Sequence, residues 1–409
     1  MYRKLFVFAL VAVLLAALLP VQSFAQDDVT IRYFNFSSDP DHVEDLAAIV
    51  AAFEAENPGV TVEVTSAPFA DYFTLLQADF VGGEPPDVFE LNYESFVSYA
   101  ANDVLLDLGS YLDAEAPYYP RALEAFQYEG QQLALPESFS TVLLFYNQDL
   151  FDQAGIDYPA PDWTWEQAVE AGRAISALGD DIWGLYSPIQ FWEFYKKAAQ
   201  NGCEFFNADM TESTINSEAC VETLETMVSF LDDDVMPDPI ELGGIANEEL
   251  FAQGKLGMVV IGIWMFPVFA EAPFAWDVQL EPGMDQKAHH FFANGIAVAK
   301  DTAHPEEAAA WAEFLTSSEA AANVRIEASW ELTALDQPEY FEAYLGQTPP
   351  ENRGAVFQAL ESPVMPPVIE RQNEMQDSIN ALLDAVVNGE LDPASALESA
   401  KQELDALIQ

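Results

Sequence analysis

The segment DVTIRYFNFSSDPDHVEDLAAIVAAFEAENPGVTVEV, from Asp28 to Val64, decides the fold. Polar and apolar residues alternate up to Phe36, which predicts a strand, and the polar turn SSDPD follows. A helical pattern then runs from Val43 to Gly59, where Asn-Pro-Gly ends it. VTVEV is the second strand. A strand, helix, strand unit predicts an α/β lobe with a largely parallel sheet.

Further strands are predicted downstream. QQLALPESFSTVLLFYN joins two apolar strands through a polar insert, Glu137 to Ser140, where we expect the chain to cross between lobes. GKLGMVVIGIW reads as a strand ending at Trp264, and HHFFANGIAVAK as a strand interrupted at Asn294 and Gly295. The regions 304–324 and 370–408 are strongly helical, the second with a break at Asn388 and Gly389.

The N-terminus has the features of a secretory signal peptide. Arg3 and Lys4 precede an apolar run from Leu5 to Leu19, and small residues follow. The run is too short to span a bilayer and predicts cleavage before Gln26, with an uncleaved anchor as the alternative. About 380 residues would remain, too many for one core, which predicts two lobes.

The composition excludes several classes of partner. The chain has 14 Lys plus Arg against 69 Asp plus Glu, a formal net charge of −55. Such a surface repels nucleic acid and anionic lipid, and few cations are present to clamp a phosphate. The acidity fits solubility outside the cell, with a cationic ligand as the alternative.

Motifs for catalysis or for nucleotides are missing from the sequence. It contains no G-x-S-x-G, no phosphate-binding loop and no G-x-G-x-x-G turn. His289 and His290 adjoin on a predicted strand and would point to opposite faces, so we expect no shared metal and no cofactor. Cys203 and Cys220 form a disulfide or remain two buried thiols.

Aromatic residues make up 13% of the chain and suggest a sugar site. Sugars need flat aromatic platforms edged with polar groups, and PIQFWEFY, from Pro188 to Tyr195, has that mixture. The alternative is an amphipathic helix that buries its aromatics. In WTWEQA, Thr164 and Gln167 form a capping box, and Trp163 would staple onto Ala168. These tryptophans therefore start a helix rather than bind a ligand.

Several segments in this order resemble the extracellular solute-binding proteins of ABC importers, family 1, the carbohydrate-binding group that includes maltose-binding protein. They are FEAENPGVTVEV, GGEPPDVFEL, LALPESFSTVLLFYNQDLF, WTWEQA, LFAQGKLGMVVIGIW and NGIAVAKDTAHPEEAAAWAEFL. The resemblance implies a type II periplasmic-binding fold, in which two α/β lobes joined by a hinge close on a ligand and dock on a membrane permease. It implies binding, not catalysis.

The resemblance also implies lobe boundaries and site residues. The N-terminal lobe would comprise 26–138 and 293–335, and the C-terminal lobe 139–292 and 336–409. The expected ligand-binding residues are Ser37, Ser38, Asp39, Asn92, Glu94, Ser140, Gln190, Trp192, Trp264, Asn294 and Trp330. Around Trp330 the sequence WELTAL departs from the glycine and proline often found there, which leaves the far wall of the site open.

These residues favour a sugar or oligosaccharide as ligand. A polyamine is the alternative within the class, an extracellular glycoside hydrolase the alternative outside it, and a subunit presenting its closed form to a sensor kinase a third. We expect a monomer, in the periplasm or at the cell surface, with permease subunits as partners. No cysteine follows the apolar run, so a lipoprotein anchor has no support in the sequence.

Overall fold

The computed structural model describes residues 28–112, 116–232, 235–329 and 331–409. The predicted signal peptide and Trp330 lie outside the described residues. Within these ranges no helix combines the length and the apolarity that crossing a membrane requires.

The strands are β1 (Val29–Asn35), β2 (Val60–Ser66), β3 (Val88–Asn92), β4 (Gln127–Tyr128), β5 (Gln131–Gln132), β6 (Ala134–Ser140), β7 (Val142–Asn147), β8 (Trp183–Tyr186), β9 (Leu256–Gly262), β10 (Trp276–Gln279), β11 (His289–His290), β12 (Phe292–Val298), β13 (Leu332–Thr333) and β14 (Pro363–Val364). The helices are α1 (Pro40–Glu56), α2 (Phe69–Gly82), α3 (Tyr93–Ala101), α4 (Pro120–Ala125), α5 (Gln148–Ala154), α6 (Trp165–Ser176), α7 (Phe191–Gln200), α8 (Glu218–Asp232), α9 (Pro239–Leu242), α10 (Asn247–Ala252), α11 (Phe266–Ala270), α12 (Pro305–Ser317), α13 (Glu319–Glu327), α14 (Pro338–Leu345), α15 (Ala355–Ala359), α16 (Gln372–Val387) and α17 (Pro393–Leu407).

The first lobe is built on a six-stranded sheet in the order β13-β6-β12-β3-β1-β2. The predicted strand, helix, strand unit is confirmed, because β1 pairs in parallel with β2 and with β3. The sheet as a whole is mixed rather than largely parallel. Strand β12 returns from the other lobe and runs antiparallel to both β3 and β6. Apolar side chains cover both faces of this sheet.

The second lobe is built on a four-stranded sheet in the order β10-β7-β9-β8. Strands β7 and β9 are buried at every residue, since helices pack on both faces. The C-terminal helices α16 and α17 belong to this lobe, where Met375, Leu383 and Leu404 join its largest apolar cluster. Hydrophobic runs without alternation are what strands buried on both faces require.

The chain crosses between the sheets at Thr141, again over residues 280–291, and a third time after β13. The predicted polar insert, Glu137 to Ser140, is not a loop, because it forms the end of β6. The Thr141 hydroxyl donates to the carbonyl oxygen of His290 at 2.6 Å, so the first two crossings are tied together. They form the hinge between the lobes.

The register of β12 against β6 shifts between Asn294 and Gly295, as the Asn-Gly interruption predicts. Glu137 is the extra residue on β6 at this bulge, because Ser138 pairs with Asn294 and Pro136 with Gly295. A bulge re-aims side chains on the strand that carries it. Here the bulge lets the neighbouring residues Glu137 and Ser138 both contact one group of buried polar side chains.

Candidate ligand-binding site

The polar ends of several strands meet where the chain crosses between the lobes. In the first sheet, Asn294 lies opposite Asn92 on one side and Ser138 on the other. Two residues nearer the hinge, Phe292 lies opposite Ser140. Loops and strand ends at such a crossing are where α/β proteins place ligands.

Three half-buried aromatic side chains, Trp192, Trp264 and Phe292, form what we call the aromatic wall. The ring centroids of Trp264 and Phe292 are 6.1 Å apart at 49°. His290 lies between Phe292 and Trp192, with its ring centroid 4.6 Å from the first and 5.6 Å from the second. The wall joins two predicted site residues, Trp192 and Trp264, with a residue that the sequence analysis did not select.

The backbone around Trp264 is shaped to hold its ring. The strand ends at Gly262, two residues earlier than predicted, and Ile263–Met265 form a 3-10 turn. The turn folds the indole back over the strand end, where a Cβ on Gly262 would overlap the ring atoms. Glycine is therefore needed at 262 for close approach rather than for backbone torsion.

The amide of Gln190 accepts a hydrogen bond from the indole nitrogen of Trp192 at 2.9 Å. Gln190 is also the residue that precedes α7, and its side chain makes no cap bond to the helix. This hydrogen bond therefore helps to hold the Trp192 indole in its place in the wall. The structure thus brings Gln190 to the candidate site through Trp192.

The predicted residues after β1 lie at the end of the first sheet. Ser37 and Ser38 are half-buried, and the backbone nitrogen of Ser37 donates to the Asn35 side chain at 3.0 Å. Asp39 is exposed and precedes α1 without a side-chain cap bond. Two hydroxyls and one carboxylate are thus presented to solvent-accessible space at this strand end.

Asn92 and Glu94 occupy the start of α3. The Asn92 side chain accepts from the backbone nitrogen of Ser95 at 3.1 Å, so it caps the helix. Glu94 is buried, which raises the pKa of its carboxyl to about 7. Burial raises the pKa of Tyr195 in α7, and the charge of Glu94 adds to that rise. Glu94 of the first lobe therefore lies within electrostatic range of the second.

Asn294 and Ser138 face a buried group of ionisable residues in the first lobe. Asn294 donates toward the Glu331 carboxylate at 3.4 Å, and Ser138 donates to the same carboxylate. Asn294 is thus already engaged inside the protein, rather than facing open space. Glu331, which follows Trp330 directly, was not predicted from the sequence.

We call Glu90, Glu137, Arg325 and Glu331 the first-lobe cluster. Arg325 pairs with Glu137, and both are buried. Burial raises the pKa of Glu90 well above its usual range, and the neighbouring carboxylates of Glu137 and Glu331 raise it further. Three carboxyls therefore lie around Arg325, and this environment favours the neutral form of Glu90.

A second buried group lies directly beneath the aromatic wall. We call Glu193, Lys196, Lys197, Glu281 and His290 the second-lobe cluster; all five are fully buried. Lys196 pairs with Glu193 at 2.7 Å and also with Glu281, and Lys197 pairs with Glu193. Burial alone would raise the pKa of Glu193, but the two lysines hold it well below its usual range.

The tryptophans of WTWEQA are structural. The predicted capping box is present, with Thr164 and Gln167 exchanging their hydrogen bonds. Trp165 is buried, donates to Gln200 at 2.9 Å and lies 4.2 Å from the ammonium of Lys197. Trp163 packs beside Phe151, with ring centroids 6.3 Å apart. These rings support α6 and the second-lobe cluster and lie outside the aromatic wall.

A disulfide joins Cys203, just after α7, to Cys220 in α8, with 5.1 Å between their Cα atoms. Of the two possibilities left open by the sequence, the structure has the bonded one. In the described part of the chain, no three His, Cys, Asp or Glu side chains are grouped so as to hold a metal ion.

A surface cavity of about 570 Å³ lies elsewhere, between α12, α13 and α14. Carboxylates of Glu319, Glu327 and Glu339 line it, and Tyr340 is its one aromatic residue. A sugar site needs aromatic platforms as well as polar groups. The aromatic wall at the lobe crossing therefore remains the candidate site.

Comparison with known proteins supports the same fold. Residues 39–322 match the bacterial extracellular solute-binding protein family. An ABC substrate-binding protein of Listeria monocytogenes, solved in complex with cycloalternan, is 43% identical, with a TM-score of 0.89; the match covers 93% of this chain and 99% of that one. A cyclic alpha-maltosyl-1,6-maltose binding protein from Arthrobacter globiformis is 22% identical, with a TM-score of 0.71, over 93% and 99%.

Among curated proteins, the galactooligosaccharide-binding protein of Bacillus subtilis is 24% identical over 361 residues. The match covers 86% of this chain and 84% of that protein. The similarity thus extends over most of both chains and across both lobes.

Proposed function

This chain belongs to the bacterial extracellular solute-binding protein family, and on that premise we propose that it captures an oligosaccharide for an ABC importer. Membership of this family assigns the chain binding rather than catalysis, so the glycoside hydrolase alternative is set aside. The ligand would bind between the two lobes and favour their closed arrangement, because it contacts both.

The aromatic wall is the observation that carries the proposal. Trp192, Trp264 and Phe292 are half-buried at the crossing between the lobes, and aromatic faces match the apolar C–H faces of sugar rings. The hydroxyls of Ser37 and Ser38 and the carboxyl of Glu94 are candidates to bind sugar hydroxyls from the other lobe. Trp330 and Ser140 stay in the proposed site on the resemblance alone.

The ligand that we propose first is cycloalternan. It is bound by the relative from Listeria monocytogenes, which is 43% identical over 93% of this chain. The galactooligosaccharide-binding relative supports an oligosaccharide more generally.

We further propose that residues 1–25 direct export, that the protein acts in the periplasm or at the cell surface as a monomer, and that permease subunits are its partners. We also propose lobe boundaries of 26–138 with 293–335 and 139–292 with 336–409, although strands β6 and β12 of the first sheet extend to Ser140 and Phe292, slightly beyond these bounds.

Isothermal titration of the purified protein tests the ligand. The panel would contain cycloalternan, maltotriose, a galactooligosaccharide and, for the cationic alternative, putrescine and spermidine. We expect saturable binding of at least one sugar. Binding of a polyamine alone would replace the sugar proposal with its rival, and binding of none of these ligands would contradict both.

Two tryptophan variants locate the site. Trp264→Ala should weaken sugar binding by at least about tenfold, because a stacked aromatic platform is removed. Trp183→Ala is the matched control, since Trp183 is also half-buried but pairs with Leu256 at the opposite end of β9. Equal losses in both variants would show that the wall is not the binding surface.

A further inference from the structure

His290 occupies the junction between the hinge and the aromatic wall. It lies on β11, within the second crossing, and its carbonyl accepts the hydrogen bond from Thr141 of the first crossing. Its backbone also pairs with Val364 in β14. The main chain at His290 is therefore fixed from two sides, both of them parts of the hinge region.

The imidazole of His290 is fixed just as firmly. Nε2 lies 3.2 Å from a carboxylate oxygen of Glu193, and Nδ1 lies 2.9 Å from the hydroxyl of Tyr195. Because Glu193 is charged and only accepts, Nε2 carries the proton, and Nδ1 accepts from Tyr195. Burial lowers the pKa of His290 to about 4, which agrees with this neutral form.

Three aromatic rings lie around the imidazole, two of them in the aromatic wall. The ring of Phe292 is stacked on it at 18°, and the ring of Tyr195 meets it edge-on at 78°. Trp192 lies beside it at 53°. Trp192 and Tyr195 are carried by α7, whereas Phe292 is the first residue of β12, directly after the 280–291 crossing. His290 is thus the point at which α7 and the hinge are joined beneath the wall.

We propose that His290 is a positioning residue for ligand binding, which fixes the Phe292 ring relative to the Trp192 ring through its hydrogen bonds to Glu193 and Tyr195. The inference rests on the proposed function, because it assigns the wall to a sugar ligand. Without these two hydrogen bonds the ring at position 290 can rotate. The Phe292 and Trp192 rings then lose their fixed orientation relative to each other. Ligand affinity then falls although the wall residues are unchanged.

The variant His290→Phe removes both hydrogen bonds and keeps a ring of similar size against Phe292. We expect the dissociation constant for the bound sugar to rise by about tenfold or more. The matched control is His289→Phe, the same change one residue away. His289 is buried, and neither of its ring nitrogens makes a hydrogen bond in the structure. Its replacement should leave the affinity within about twofold of wild type.

Two further variants separate positioning from general damage to the core. His290→Gln keeps a donor for Glu193 and should recover part of the lost affinity. Tyr195→Phe removes a single buried oxygen, leaves the fold intact and should weaken binding several-fold, even if His290→Phe does not fold. Wild-type affinity in both Tyr195→Phe and His290→Phe would overturn the proposal, as would a loss in His289→Phe equal to that in His290→Phe.

Near-ultraviolet circular dichroism of the protein without ligand tests the positioning role of His290 independently of sugar binding. His290→Phe should change the tryptophan bands relative to His289→Phe, since Trp192 loses its fixed neighbour. If wild type binds no sugar, the proposed function fails, while identical spectra of the two variants would separately overturn the positioning role.

Discussion

The two lobes face the candidate site with different side chains and rest on buried clusters that differ in the number of cations per carboxyl group. The second lobe contributes Trp192 and Trp264 above a cluster in which the carboxyl groups of Glu193 and Glu281 meet two lysines and a neutral histidine. The first lobe presents mostly polar groups above a cluster in which three carboxyls surround Arg325. The cluster of the second lobe lowers the pKa of Glu193 and favours its charged form, whereas the cluster of the first lobe raises the pKa of Glu90 and favours its neutral form.

The difference shows that buried carboxyls in one protein need not respond alike to a change of pH. A buried charge is stable only with partners, and a buried carboxyl without enough cations binds a proton instead. The same substitution, glutamate to glutamine, should therefore have opposite effects in the two lobes. The following tests start with the largest expected effect.

Glu193→Gln removes the shared partner of Lys196 and Lys197. We expect a loss of about 3–5 kcal/mol in the free energy of unfolding at pH 7, because the buried Lys197 loses its carboxylate partner and Lys196 keeps only Glu281. Because the pKa of Glu193 is depressed in the folded state, its contribution is present above the unfolded pKa and is lost as pH falls. The difference between the two proteins should therefore begin to shrink below about pH 4.3 and vanish only below the depressed pKa of folded Glu193.

Urea denaturation followed by circular dichroism measures this effect. Glu374→Gln is the matched control, since Glu374 also pairs with a cation in a helix but is exposed. A Glu193→Gln protein as stable as this control would show that the second-lobe cluster is not electrostatically balanced as described.

Gly262→Ala tests how closely the aromatic wall is fitted to the second lobe. The added Cβ would overlap the Trp264 ring, so the indole must move. We expect sugar affinity to fall by about tenfold, which corresponds to about 1.4 kcal/mol. Gly354→Ala is the control, because nothing lies near its added Cβ and its backbone torsion is ordinary. Unchanged affinity in Gly262→Ala would mean that Trp264 is not held in its binding position.

Glu90→Gln should have the smallest effect and the opposite sign. The raised pKa means that the folded state retains a proton that the unfolded chain loses, so wild-type stability falls as pH rises above about 4.3. The Glu90→Gln variant has no carboxyl at this position, so it does not undergo this loss. Its free energy of unfolding should exceed that of wild type by about 1 kcal/mol at pH 8 and equal it at pH 4.

Urea denaturation at pH 4 and pH 8 measures this difference in the free energy of unfolding. Glu63→Gln, on the exposed side of β2, is the control. A loss of stability at pH 8 in Glu90→Gln would show instead that Glu90 is charged and paired within the first-lobe cluster.

Local patterns gave correct predictions where the physical cause is local. The capping box at Thr164, the strand, helix, strand unit and the irregularity at Asn294 and Gly295 follow from residues within a few positions of each other. The family and its α/β fold were also identified from the sequence, because several short segments that resemble the family occur along the chain in the family's order. The polar insert at Glu137 was misread as a connection, because a bulge lets a buried strand carry polar residues on successive positions.

The buried clusters could not be found in this way. Glu281 meets Lys196 across 85 positions of the chain, and His290 meets Glu193 across 97. The sequence FWEFYKK has helical spacing whether its lysines face solvent or the core. Whether these lysines face solvent or the core is decided by the packing of β11 and the 280–291 crossing against α7. The same long-range packing brings Phe292 into the aromatic wall, so this residue could not be predicted from local sequence either.

The burial of scarce cations also decides where trypsin can cut. Lys196, Lys197, Arg325 and Arg353 are buried, whereas Lys300 and Arg371 are exposed. Cleavage of the native protein should therefore be sparse, and cuts after Lys196 or Lys197 require that α7 first opens. The appearance of those two cuts would time the local unfolding of the helix that carries Trp192, without any label or ligand.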